Sequence, residues 1–109
     1  MERKYRGRLL MIREWKTIVY EVVRAVKKLY PEAEVYLIGS VAENCFTVRS
    51  DVDVAVVFKS RLSRDSRVSV LAHIWEKLNG KVPMYYPLEI HVLSGEEFVK
   101  LKGRKLKLT

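Results

Sequence analysis

Apolar residues recur at spacings of three and four between residues 6 and 29, at Leu9, Ile12, Trp15, Val19, Val22, Val23 and Val26. That period predicts a helix with one apolar stripe, stopped by Pro31. Arg13, Lys16, Arg24, Lys27 and Lys28 fall on or near its wet side. Residues 34–38, EVYLI, then read as a strand broken by Gly39, and residues 40–46 allow one or two helical turns. The run VDVAVVF at 52–58 is the strongest strand signal in the chain. It is apolar on both faces past its aspartate, as a central strand requires. After the basic loop KSRLSRDSR, residues 66–79 carry Val68, Leu71, Ala72, Trp75 and Leu78 at helical spacing, closed by Asn79-Gly80. LEIHVL at 88–93 makes a third strand after Pro83 and Pro87, and Ser94-Gly-Glu-Glu97 fits a capping box opening a short last helix from Phe98 to about Lys102. The tail, GRKLKLT, is read as loose.

The order helix, strand, short helix, strand, helix, strand, helix predicts an α/β (or α+β) fold, a small sheet of three or four strands backed by helices. The 109 residues suit a single domain, 1–109, with no linker or repeat.

Composition narrows the class. At 49% hydrophobic residues the chain can build a core, so disorder is not expected. No apolar stretch approaches the roughly 20 residues of a membrane span. Cys45 is the one cysteine, which rules out an internal disulfide and a cysteine zinc site and points to the cytoplasm. The net charge of +8 and pI near 9.7 call for anionic partners such as nucleotides, nucleic acid or an acidic protein face. There is no glutamine, asparagine occurs at positions 44 and 79 alone, and 31% of residues are charged, the bias expected of a heat-adapted source.

The candidate chemistry lies in LIGSVAENCFTVRSDVDVAVVF, residues 37–58. Asp51 and Asp53 leave a strand from one face, with Cα atoms about 6.6 Å apart. Two anions that close repel by about 2–3 kcal/mol at an effective dielectric near 20, and partial burial adds to the cost. A divalent cation is the simplest compensation, and carboxylate oxygens suit Mg²⁺ or Mn²⁺. Gly39 lets the backbone approach a ligand closely, and the start of a short helix with the Ser40 hydroxyl suits a phosphate. For Gly39 and the aspartates to serve one ligand, the first two strands must be antiparallel, turning back near Asn44, a residue that tolerates left-handed backbone angles. A strand–helix–strand crossover makes the second and third strands parallel neighbours, so Glu89 can face the aspartates as a third carboxylate. Three carboxylates, two metal ions and a phosphate loop are the parts for in-line attack on a nucleoside triphosphate.

Gly39-Ser40, ten residues, then Asp51-Val52-Asp53 followed by apolar residues resembles the signature of the DNA polymerase β-type nucleotidyltransferase superfamily, and the small size resembles its minimal branch. The resemblance covers residues 35–93. It implies a mixed sheet backed by helices, with Asp51, Asp53 and Glu89 as metal ligands. Glu89 would also help activate the attacking hydroxyl, and Gly39 and Ser40 would hold the phosphates of ATP or another nucleoside triphosphate. It further implies transfer of AMP to a helical partner of the HEPN type, the chain serving as antitoxin of a toxin–antitoxin pair. A chain this short has little room for an acceptor-binding domain, which favours a partner or a homo-oligomer. Where the family often carries basic residues and a glycine, this chain has Val41, Glu43 and Asn44. The alternative reading is therefore a catalytically weakened module that neutralises a partner by contact. Nucleic-acid binding through the basic surface ranks last, because no helix-turn-helix or aromatic RNA-recognition motif is present.

The remaining residues receive plainer readings. His91 shares a face with Glu89 by the period of two and is read as structural rather than as a ligand. His73 is incidental, Trp15 and Trp75 belong to apolar stripes, and Cys45 is a small buried residue. Tyr85-Tyr86 is either a surface loop or a platform for a base. The basic loop around Arg61, Arg64 and Arg67 is a solvated face that could also hold a triphosphate or an acidic partner.

Overall fold

The computed structural model describes residues 12–109. The predicted residues 6–11 of the first helix, Leu9 included, lie outside the described residues. Within them, helix α1 spans Trp15–Leu29 and buries Ile18, Val19, Val22, Ala25 and Val26. Strand β1 is Glu34–Ile38, a single helical turn α2 is Gly39–Ala42, and strand β2 is Val52–Phe58. Helix α3 is Arg64–Leu78, strand β3 is Leu88–Ser94, helix α4 is Gly95–Lys100 and strand β4 is Leu106–Lys107.

The sheet order is β3-β2-β1-β4. β1 runs antiparallel to β2 and to β4, while β2 and β3 are parallel. The expected mixed sheet is present, with β2 central. Val52, Val54, Ala55 and Val56 are all fully buried. Each fully buried valine contributes about 1.5–3 kcal/mol at most, so β2 is the strongest single holder of the fold.

Register assigns the faces. Val35 and Leu37 of β1, Val54 and Val56 of β2 and Ile90 and Val92 of β3 form one side, all in the buried core with α1 and α3. Glu34, Tyr36, Ile38, Asp53, Glu89 and His91 form the other side by the period of two. There the Phe98 ring of α4 lies 4.3 Å from that of Tyr36. The capping box at Ser94 and Glu97 forms as expected and starts α4 directly at the end of β3.

Four expectations need correction. The tail is not loose: Leu106 and Lys107 pair with Leu37 and Tyr36, and Leu106 and Leu108 pack against the core. The helix after β2 begins earlier than predicted, at Arg64, because the Ser63 side chain caps it by accepting from the Ser66 amide. It buries Val70, Ile74 and Leu78, leaving Val68 at 63% and Trp75 at 38% exposure, so Trp75 is not a core residue. Two apolar stripes run along this helix, and the sheet takes only one. Cys45 is exposed rather than buried, since it follows Asn44, whose φ of 56° turns the chain outward from α2.

Candidate active site

The site is built at one end of the open sheet face. β1 ends and β2 begins there, because the pair is antiparallel and Ile38 stands opposite Asp53. The parallel pairing of β2 with β3 then sets Glu89 directly opposite Asp53. The entry of β2 is tied to the entry of β3 by the Val52 amide, which donates to the Pro87 carbonyl at 2.7 Å. Both carboxylates are thus fixed by backbone ladders rather than by loops.

His91, one pleat further along β3, completes the cluster. Its Nε2 lies 3.2 Å from Asp53 Oδ1 and 3.9 Å from Glu89 Oε1. Donor atoms of Asp53, Glu89 and His91 all lie within 4.8 Å of one another. The side chains are 23%, 56% and 35% exposed respectively, a partly desolvated pocket with one wet wall. The hydrogen bond to Asp53 raises the imidazole pKa above its usual value; burial opposes the rise, and the nearby charges of Glu89 and Asp53 add to it.

Gly39 forms the opposite wall. Its φ is +76°, a conformation that favours glycine, and a Cβ built there would meet Asp53 Oδ2 at 2.6 Å. The missing side chain is what leaves that carboxylate oxygen open. Ser40 follows in the first turn of α2, and Asn44 takes the left-handed conformation expected of it. Val41 faces the core at 5% exposure.

Asp51, the other half of the sequence pair, stands just before β2 and is half-buried; it is not one of the three residues whose donors converge. His91, read from the sequence as structural, is one of them. The signal was available, since Glu89 and His91 share a face by the period of two, but an isolated histidine gives no sign of which neighbour it meets. Two carboxylates, one of them with an oxygen left open by a glycine, and an imidazole fit a divalent cation: the oxygens suit Mg²⁺ or Mn²⁺, and the nitrogen suits a transition metal better than Mg²⁺.

The basic loop reading resolves differently. Arg61 Nε is bound to Glu96 at 3.1 Å, and Arg67 makes a two-pronged pair with Glu97 at 3.0 and 2.8 Å. These arginines line a cleft of about 260 Å³ with Ser94 and Lys100, at the far end of β3 from Glu89. Their charge is committed to acids away from the carboxylate cluster. Tyr86 is buried, its hydroxyl pKa pushed up to about 12 chiefly by that burial, whereas Tyr85 is exposed. No described helix is long and apolar enough to cross a membrane.

Comparison with known proteins agrees with this fold. A structure provisionally named a nucleotidyltransferase from Sulfolobus solfataricus superposes with a TM-score of 0.64 at 21% identity, covering 95% of this chain and 84% of its own. A second, with the same provisional name, has a TM-score of 0.65 at 27% identity, covering 84% of this chain and 97% of its own. A third, a toxin–antitoxin structure with AMP-PNP, has a TM-score of 0.51 at 14% identity, covering 83% of this chain and 71% of its own. No curated protein sequence matches the chain. The profile of the family described as "Nucleotidyltransferase domain" matches residues 19–107, which take in the glycine, the aspartates, Glu89 and the β4 edge. The chain belongs to the nucleotidyltransferase domain family.

Proposed function

We propose that the chain is a metal-dependent transferase that moves a nucleoside monophosphate, AMP from ATP, onto a hydroxyl of a partner protein. The observation that carries the reading is the convergence of Asp53 and Glu89 from adjacent parallel strands beneath the side-chain-free Gly39. Asp53 and Glu89 would hold Mg²⁺ or Mn²⁺, two ions with a triphosphate, and Asp51 at the head of β2 would add a ligand from the wet side. When bound, such ions neutralise phosphate charge and stabilise a leaving pyrophosphate. Gly39 and Ser40 admit the phosphates against the backbone, where a larger residue would block them. In the transfer, the acceptor oxygen forms a bond to the α-phosphorus. The bond to the bridging oxygen breaks, and pyrophosphate leaves with that electron pair. The hydroxyl proton passes to a carboxylate, for which Glu89, the most exposed of the three clustered side chains, is placed best.

The acceptor in this reading is a helical partner of the HEPN type, in a toxin–antitoxin pair. The toxin–antitoxin neighbour with AMP-PNP supports an adenine nucleotide and this kind of pairing. The test is transfer of label from α-³²P-ATP, with Mg²⁺ or Mn²⁺, to the product of the adjacent reading frame. Asp53→Asn and Glu89→Gln are each expected to lower labelling by about a hundredfold or more, the scale of losing a group that stabilises transition-state charge. Full labelling by the double variant would overturn the mechanism. A contact-only antitoxin is the second reading, favoured by the exposed acid Glu43 beside the phosphate loop. In that case the same variants would neutralise the partner as well as wild type does.

A further inference from the structure

A triphosphate brings more negative charge than the cluster can meet. Asp53 and Glu89 are anionic, and between Gly39 and Asp51 the chain offers a single basic residue, Arg49, set on an exposed loop. Arg61 and Arg67 of the basic loop are paired elsewhere. A side-chain cation that adds to the ions at the phosphates would come from another segment.

β4 brings one. Its register, Leu37 opposite Leu106 and Tyr36 opposite Lys107, continues to set Lys105 opposite Ile38. Ile38 is itself opposite Asp53, and Asp53 is opposite Glu89. Glu89, Asp53 and Ile38 therefore form one row across the open face, each on its own strand, and Lys105, the residue just before β4, extends that row. Lys105 and Asp53 are two strand spacings apart, about 9.5 Å between Cα atoms. That gap suits phosphates held at Asp53 and met from the other side by a flexible four-carbon stem. Lys105 lies on the open face, as its contacts show: Nζ donates to the Phe98 carbonyl at 2.8 Å and sits 4.7 Å from the Phe98 ring centre. The segment before it is docked on the turn that follows α2. Gly103, at φ +94°, packs so closely that a Cβ there would lie 3.0 Å from Glu43 Oε2. Lys105 is thus held near the Gly39-Ser40 loop between the β-ladder that starts at Leu106 and the close approach of Gly103 to Glu43.

We propose that Lys105 is a phosphate-binding residue, which swings from the Phe98 carbonyl to the β- and γ-phosphates of a nucleoside triphosphate held at Asp53 and Glu89. The inference rests on the nucleotidyl-transfer reading above and adds the source of its positive charge. Lys107, on the same face but one pair further from Asp53, is bound to Glu34 at 3.0 Å and takes no part.

The test is calorimetric binding of Mg²⁺–ATP and of Mg²⁺–tripolyphosphate, a probe without a base, to the full chain. Lys105→Met keeps an apolar stem on Phe98 and removes the charge. It should weaken both ligands about ten- to a hundredfold, the scale of one charge-assisted hydrogen bond to phosphate. Lys105→Arg should bind within a fewfold of wild type, Lys107→Met should bind as wild type, and Mn²⁺ alone should bind Lys105→Met unchanged. Wild-type affinity in Lys105→Met overturns the proposal while leaving the transferase reading intact. So does an equal loss in Lys107→Met or in Mn²⁺ binding, which would mark Lys105 as a structural support. If the wild-type chain binds neither ligand, both readings fall together.

Discussion

Gly39 offers the most direct test of the site because two separate costs meet there. Gly39→Ala places an L side chain at φ +76°, which costs roughly 1–2 kcal/mol in the left-handed region. The new Cβ also lands 2.6 Å from Asp53 Oδ2, closer than such atoms approach. The backbone cannot give way easily, since Asp53 sits between the fully buried Val52 and Val54 on the central strand. The carboxylate must rotate instead, at the cost of an off-rotamer angle or the bond to His91, about 0.5–1.5 kcal/mol for either. The sum is about 1.5–3.5 kcal/mol, or on the order of 10–20 °C in melting temperature for a domain near 100 residues. Gly80→Ala is the internal control. Its φ is +81°, but nothing lies within 4 Å of the added Cβ, so it should show the backbone cost alone. Thermal melts by circular dichroism measure both variants, and Mn²⁺ titration follows the carboxylate. Gly39→Ala should melt below Gly80→Ala and bind Mn²⁺ more weakly than either Gly80→Ala or wild type. Equal melting temperatures with unchanged Mn²⁺ affinity would show that Gly39 does not lie against Asp53.

Two further outcomes follow from the edges of the sheet. Truncation after Lys102 removes β4, the core contacts of Leu106 and Leu108, and the bond from the Leu108 amide to the Val35 carbonyl at 2.8 Å. The melting temperature should fall by about 10 °C or more, two partly buried leucines amounting to a few kcal/mol, whereas an unchanged melt would mean the tail adds nothing. The acid limb of stability depends on Glu97, whose pKa is drawn down from 4.5 to about 2, first by the Arg67 guanidinium and then by the Ser94 amide. A depressed carboxylate contributes stability above pH 4.5 and loses it as pH falls toward 2. Arg67→Met should therefore lower the melting temperature at pH 6, and its gap from wild type should narrow as pH falls from 4.5 through about 2. Parallel curves for the two proteins across that window would sink the assignment.

The central strand and its two pairings were legible because each rests on a local signal strong enough to stand alone. Seven residues of VDVAVVF can be satisfied only by burial on both faces, which places β2 mid-sheet. The short link through Asn44 and the long link through α3 then dictate antiparallel and parallel neighbours, and Glu89 reaches Asp53 as a consequence. The tail was misread because its signal is two residues long. Leu106 and Leu108 alternate with Lys105 and Lys107, the mark of an edge strand, but so short a period is indistinguishable from chance. The helix after β2 carries Val68, Leu71 and Trp75 on one stripe and Val70, Ile74 and Leu78 on another. Choosing between them depends on how the helix is rolled against the sheet, and no residue within the helix records that. His91 was hidden for a related reason: its meaning comes from Asp53 on the neighbouring strand, 38 positions away.

The stability of the fold and the geometry of the site are one constraint seen from two sides. Along β2 the side chains alternate, so Val52, Val54 and Val56 enter the core only if Asp53 leaves it. Slipping the β2–β3 register by one residue would swing Ile90 and Val92 out of the core and bring Glu89 and His91 in, at a cost of several kcal/mol in burial before any charge is counted. The same slip between β1 and β2 would carry Ile38 away from Asp53 and take Gly39 off its carboxylate. Core burial therefore fixes where Asp53, Glu89 and Gly39 stand relative to one another, and the close approach of Gly39 to the Asp53 carboxylate follows from that register. The valines hold the acids in place, and a substitution that loosens the β2 core should loosen cation binding in proportion. Removing an acid should leave the fold standing, because Asp53 and Glu89 face the open side, where their loss exposes no apolar surface.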